Sequence, residues 1–302
     1  MKTTVTLIKR NIKLFFADKG LFFTSLITPA ILLLLYVTFL ENVYRDSFTS
    51  ILCDGFGFSI SEEIISGFVG GQLISSLLAV TCVTVSFCSN MLMVQDKITG
   101  MTSDMLVTPV KKHIPPISYY VATVAVTFFI SLIAVAGGFV YIAAIGWYLS
   151  FTDVLLILLD VFLLVMFGTA LSSVINFFLS SQGQISAVGS IVSSCYGFIC
   201  GAYMPISQFP EWLQKVIAFL PGTYGTSLLR EHAIRGSLSA MSEAGVSAEA
   251  VDAMRDAVDC NIYFFENKVE TWQSYFFLCV TVVLLIGAYV ALNFVKKKGK
   301  TK

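Results

Sequence analysis

The residues able to do chemistry are few and dispersed. The two histidines, His113 and His232, fall on opposite sides of the expected membrane and cannot share a metal. No HExxH, no GxSxG and no paired intramembrane carboxylates occur, so hydrolytic and metal catalysis have no residues to run on. The seven cysteines include no CxxC pair and signal neither zinc nor redox chemistry. Asp160 stands alone as a charged side chain well inside an apolar stretch. Its burial costs about 2.5–3.5 kcal/mol on the insertion scale, and it reads as a bond to a neighbouring helix, a contact with water, or a proton or cation site. One carboxylate without a partner is thin ground for ion-coupled transport. What the chain offers instead is rows of uncharged hydrogen-bonding groups: Gln72, Ser76, Ser86 and Asn90 in one segment, and Ser186, Ser190 and Ser193 with Gly197 in another. Gly189, Ser193, Gly197 and Gly201 recur every fourth residue, which permits close helix packing. The alternative for both rows is the lining of a route for an amphipathic cargo.

Nucleotide sites are equally absent. Gly299-Lys300-Thr301 ends like a P-loop, but the first glycine it needs is Phe294. LSSQGQ at 179–184 and VGGQ at 69–72 lie at or inside apolar segments. The chain itself is expected to bind no cofactor.

The elements that position these groups are membrane helices. Charged residues make up 13% of the 302, about half the ~25% of a soluble domain, and 56% are hydrophobic. Six stretches reach the ~20 apolar residues that cross a bilayer core: 21–40, 67–94, 117–145, 153–179, 185–203 and 273–295. The first has a basic flank but no small-x-small cleavage site, and it reads as a retained anchor. Basic residues set the orientation. Lys2, Lys9, Arg10, Lys13, Lys19, Lys97, Lys111, Lys112 and the lysines at 296–298, 300 and 302 fall on one side, with only Asp18, Asp96 and Asp104 against them. Both termini are therefore expected in the cytoplasm. Trp147, Tyr148, Trp212, Trp272 and Tyr275 mark the outer interface, and Tyr119 and Tyr120 the inner one.

Three connecting segments have structure of their own. Residues 3–17 form an amphipathic interfacial helix, with Val5, Ile8, Ile12, Phe15 and Phe16 on one arc and Lys2, Lys9, Arg10 and Lys13 on another. The cytoplasmic loop 96–109 holds a short helix that Ser103 can cap and Pro109 stops. It reads as a connector or as a docking element for a cytosolic subunit. Met204–Gly236 is too apolar for a free loop and too broken by Pro205, Pro210, Pro221 and Gly222 for one span. Irregular backbone at membrane depth persists only where protein or a wet cavity covers it, which suggests a re-entrant element. Beyond it, Ser247 can cap a helix whose apolar side is Val251, Met254 and Val258, an exterior lid. Glu231 and Arg235 are spaced for an i,i+4 pair. Cys53 and Cys260 share the exterior, where a disulfide or two free thiols are both open.

Two stretches together resemble the permeases of ABC transporters of type 2, the export class. One is Asp96-Lys97, Gly100, Asp104 and Leu106-Val107-Thr108-Pro109-Val110, with Thr108 where serine is more usual. The other is Met204-Pro205, Phe209-Pro210-Glu211-Trp212-Leu213-Gln214, Leu220-Pro221, Thr223-Tyr224 and Arg230. The likeness runs over nearly the whole chain, although the exterior insertion at 237–270 is longer than in many compact members.

The resemblance implies an all-α polytopic protein of one domain with six spans, an interfacial N-terminal helix and a re-entrant extracellular element within 204–272. It implies a prokaryotic plasma membrane, a second permease copy, identical or different, and a cytosolic ATPase chain that holds the ATP and Mg. No nucleic acid is implied. Coupling to the ATPase falls on Asp96, Gly100, Asp104, Pro109, Arg10 and Lys13. The cargo route falls on the Gln72–Asn90 and Ser186–Gly197 rows. An extracellular gate falls on Pro205, Pro210, Trp212, Pro221, Tyr224, Arg230 and Glu231. The expected function is export of a drug, lipid or peptide by alternating access. An ion-coupled carrier or channel, and a receptor or immunity component that transports nothing, are the alternatives.

Overall fold

The computed structural model describes residues 2–58, 60–108, 110–111, 113–264 and 267–298. Twelve helices and one small hairpin follow in chain order: α1 Lys2–Ala17, α2 Lys19–Leu35, α3 Glu41–Ser50, α4 Glu62–Ile98, α5 Met101–Val107, α6 Ile114–Ile145, α7 Phe151–Phe178, α8 Gln182–Ile199, α9 Glu211–Ile217, α10 Pro221–Glu243, α11 Ala248–Ala257, β1 Ile262–Phe264, β2 Asn267–Val269 and α12 Thr271–Lys298. The hairpin pairs antiparallel, Ile262 opposite Val269.

Caps fix several starts. Asp18 accepts the Leu21 amide to open α2. Ser150 with Asp153, and Ser181 with Gln184, form reciprocal capping boxes on α7 and α8. Ser247 caps α11 as expected, and Met254 and Val258 face inward from it. The helix in the 96–109 loop departs from expectation. Its N-cap is Gly100, at φ +84°, not Ser103, whose amide instead donates to the Gly100 carbonyl. A left-handed backbone there favours glycine, which has no Cβ to clash. Pro109, the expected stop, lies outside the described residues.

Among the described residues, five helices are long and apolar enough to cross a membrane: 19–53, α4, α6, α7 and 271–294. The first runs well past the expected end at 40, carrying α2 through two π-helical turns and α3 in one continuous rod. The sixth expected span, α8, has 18 residues and contains two glutamines and four serines, which keeps it out of that set.

The bundle is organised around α4. Every residue of this 37-residue helix from Ile65 to Asn90 is buried, and α2, α6, α7, α8 and α10 surround it. A helix apolar all round belongs in a core, and the polar groups it does carry must find partners there. Helix α1 and the end of α12 sit at one end of the bundle, where Arg10 meets Asp96 and Tyr289 donates to the Pro116 carbonyl. We call this the basal end. The hairpin and α11 sit at the other, the lid end.

Helix α10 begins deep and emerges at the lid. Near its start Gly225 lies against Leu164, more than three turns below the first residue of α7, or about 20 Å at 1.5 Å per residue. Near its end, a Cβ on Gly236 would overlap the carbonyl oxygen of Tyr148 in the α6–α7 connection. Pro221 takes the first helical position, where its missing N–H costs nothing.

Candidate functional site

The basal cluster joins α1, α4 and α6. Arg10 donates to both carboxylate oxygens of Asp96, at 2.6 and 3.2 Å, and the Tyr119 hydroxyl donates to the same carboxylate. Asn11 reaches Ser118 at 3.5 Å, and Phe15 is buried below them. The amphipathic face is thus seated on α6, although Val5 and Phe16 from the expected apolar arc remain exposed. The hydrogen bond to Asp96 raises the Arg10 pKa beyond its ordinary value, so the guanidinium stays charged at any physiological pH. Lys13 is exposed and pairs with no acid among the described residues. Asp104 is exposed in the first turn of α5. Lys97, beside Asp96, donates to the carbonyls of Asn176, Phe177 and Leu179, which satisfies the C-terminus of α7. Sequence reasoning gave Lys97 only a sign; its use as a helix cap depends on α4 and α7 ending side by side.

The polar rows separate. On α4, Asn90 donates to Ser172 and Ser173 at 3.0 and 2.9 Å and accepts from Thr123. Ser86 meets Thr169 at 3.3 Å, and Ser76 accepts from Arg230. Gln72 is buried with its oxygen unpartnered. All four lie within the protomer. On α8, Ser186 and Ser190 are exposed, Ser193 is half-buried and Gly197 is buried against the ring of Tyr203. The two rows do not share one open surface.

The gate candidates are carried by the 205–236 segment. Pro205 and Pro210 precede a 3₁₀ turn and α9, and Trp212 is exposed. Tyr224 donates to the Ala218 carbonyl at 2.7 Å and packs on Phe277 of α12. Arg230 is 1% exposed. Its guanidinium donates to Asp259 at 3.4 Å, to Ser76 at 3.3 Å and to the Gly201 carbonyl, while Nε has no partner. Asp259 also accepts the Ile206 amide at 2.8 Å. One buried cation therefore ties α10 to α4, to the turn after α8 and to the segment after α11.

A second buried cluster shows Asp160 bonded to neighbouring helices, the first of the readings open to it, and supplies the partners the sequence did not show. The carboxylate has partners: His232 Nδ1 lies 2.6 Å away, and the Tyr275 hydroxyl donates at 2.6 Å. This joins α7, α10 and α12. His232 was invisible as a partner because it lies 72 positions away in the chain. The other histidine, His113, is exposed at the basal end.

The i,i+4 pair is also corrected. Arg235 binds Asp153 at the start of α7, and Glu231 binds Arg255 of α11. Each finds a partner that is closer to buried and better fixed than a helix neighbour. Burial pushes the Glu231 carboxyl up, but the Cys260 thiol at 2.9 Å and Arg255 outweigh it and hold it below its ordinary 4.5. Cys260 and Cys53 are both free thiols.

A sequence model of the ABC-2 type transporter family matches residues 2–232. The chain belongs to this family. A search of curated proteins gave no match. The matched segment of this ABC-2 permease includes the Arg10–Asp96–Tyr119 cluster and the Asp160–His232 pair but not Tyr275, and it ends at His232, within α10. The ABC-2 permease is a transport component of the membrane, and the lid made by α11 and the hairpin lies beyond the match.

Proposed function

We propose that this chain is the permease subunit of an ATP-powered exporter that moves an amphipathic or hydrophobic cargo out of a prokaryotic cell. Two permease copies work with a separate cytosolic ATPase, which holds the ATP and Mg. Both termini face the cytoplasm, so the basal end is the ATPase side. The observation that carries the reading is the continuity of α4. Asp96 at its basal end is gripped by α1, and Ser76, about 30 Å away along the same helix, is gripped by Arg230 of α10. A push on α1 and on α5 is thus delivered to α10 through one rigid, fully packed rod. In this reading α9 and α10 are the re-entrant gate, α8 completes the six spans, and its exposed Ser186 and Ser190 face the route that a second copy closes. Asp104 and Lys13 are left exposed for ATPase contact, and Gly100 is half-buried.

The test is co-purification with an ATPase chain and cargo flux in proteoliposomes. Asp96→Asn is expected to preserve basal ATP hydrolysis and to lower flux. Full flux with Gly100→Trp and Asp104→Lys combined would remove the coupling assignment. One observation favours an ion-coupled carrier instead: Asp160 and His232 form a buried ionisable pair. Asp160→Asn then separates the readings, because a carrier loses flux without any ATPase present.

A further inference from the structure

A half-open cavity of about 390 Å³ lies under the lid, between α10, the end of α11, β2 and the first turn of α12. This is within the size range of small-ligand sites. It lies at the opposite end of the bundle from the Arg10–Asp96 cluster, and no residue of either polar row lines it. Its charged walls balance: Glu231 and Glu270 against Arg255 and Lys268. Part of that capacity is spent inside the protein. Glu231 Oε2 takes Arg255 and Cys260, Glu270 Oε2 takes the indole of Trp272, and Lys268 holds Asp252. The other oxygen of each glutamate, Arg255 Nη1 and the hydroxyl of Ser274 have no hydrogen-bond partner among the described residues, and Ser274 is only 4% exposed.

Among the described residues of the lining, Leu228 and Val269 are the aliphatic ones, too little for an apolar guest. Equal numbers of each charge disfavour a simple anion or cation, since either would meet as much repulsion as attraction. A ligand with one positive and one negative end meets a partner at both. A carboxylate suits Arg255 Nη1, the hydroxyl of Ser274 and the amino terminus of the 28-residue α12. An ammonium suits the spare oxygens of the two glutamates.

We propose that this cavity is an exterior binding site for a small zwitterion with an ammonium and a carboxylate, a free α-amino acid or a short peptide. Its occupant bridges α10 to α12 and to the lid, and so bears on the same helix that Arg230 and His232 anchor. The proposal does not depend on the transport reading, because it concerns binding alone.

The test is isothermal titration of the purified full-length protein in detergent with alanine, dialanine, N-acetylalanine and alanine amide. Alanine or dialanine is expected to bind, and whichever binds better tells the free amino acid from the peptide. Each singly charged analogue is expected to bind at least about tenfold more weakly, the effect of one lost charged contact. Ser274→Leu, which extends into the cavity, is expected to weaken zwitterion binding by about tenfold or more. Absence of binding by both zwitterions up to about 10 mM, or equal binding of all four compounds, overturns the proposal. If Ser274→Leu disturbs folding, the analogue series on the unaltered protein decides alone.

Discussion

Arg230→Met tests whether the buried guanidinium holds α10 in place. The substitution keeps a long, flexible apolar side chain in the space and removes the charge. Asp259, 7% exposed, then loses its cation. Removing one member of a buried pair costs about 3–5 kcal/mol, because the remaining charge is stranded. Asp259 retains the Ile206 amide at 2.8 Å, which puts the expected loss near the lower bound, about 3 kcal/mol. The Gly201 carbonyl and Ser76 are left short of a donor, and these add rather than subtract. At roughly 2–4 °C per kcal/mol for a large domain, the apparent melting point should fall by about 6–12 °C. Intrinsic tryptophan fluorescence in detergent at one fixed scan rate measures it, since unfolding of such proteins is commonly irreversible. Asp259→Asn alone should cost less, as Arg230 keeps two neutral acceptors. The double variant Arg230→Met/Asp259→Asn should lie at least about 1 kcal/mol above the sum of the singles, because neither charge remains to be stranded. Arg230→Lys should not rescue fully, for an ammonium cannot reach three separated acceptors in one plane. Additive losses, or a melting point unchanged within about 2 °C for Arg230→Met, would refute the pairing as the source of stability.

The remaining predictions concern other joints of the same framework. Asp96→Asn removes the partner of Arg10 in a pair that is partly exposed on the arginine side, so the stability loss should be modest, about 1–2 kcal/mol, while flux per ATP hydrolysed in proteoliposomes falls. Gly236→Ala forces a methyl group onto the Tyr148 carbonyl and should destabilise by about 1–3 kcal/mol, read as a lower melting point, with Gly287→Ala, where the space is open, as the neutral control. Acid should loosen the lid: Glu231 and Asp252 are both held below their ordinary values of 4.5 and 3.8, so the stability they contribute is full above those values and is lost as pH falls through the lowered ones. Limited proteolysis between residues 244 and 270 should therefore accelerate from pH 5 towards about pH 3, and Glu231→Gln should reduce that acceleration.

The spans were legible because twenty apolar residues in a row have few other uses, and four of the six expected segments match helices within a few residues. The interfacial helix and the capped exterior helix were legible for local reasons, a 3.6-residue period and a serine at the right position. The cap at Gly100 was missed because a serine three residues later offers the more familiar signal, and only the backbone turn decides between them. The pairs Arg10–Asp96, Arg230–Asp259, His232–Asp160 and Glu231–Arg255 were not legible, since each joins residues at least 24 positions apart and a sequence carries no direct trace of tertiary contact. The polarity of α4 was seen, but not that Asn90, Ser86 and Ser76 would tie α4 to α6, α7 and α10 while Ser75, Thr81 and Thr84 bond back to their own helix. In a helix without water on any face, an unpartnered polar group is costly, so the default use of such groups is internal.

That default also explains how the insertion at the lid end is attached. The family match stops at His232, yet α10 continues as one unbroken rod to Glu243, and the short turn 244–247 then leads into α11. A free lid would sway on that rod. Two ionic contacts prevent it: Arg255 reaches back to Glu231, and Asp259 reaches back to Arg230, on adjacent residues of α10. Adjacent positions on a helix point about 100° apart, so the two contacts grip α10 from different sides and resist rotation as well as separation. Any displacement of α10 must then carry the lid with it or break a buried pair at about 3–5 kcal/mol. Movement of α10 and the lid as one body is therefore the less costly course, and cross-links placed within the lid should leave flux intact, whereas cross-links from the lid to α12 should arrest it.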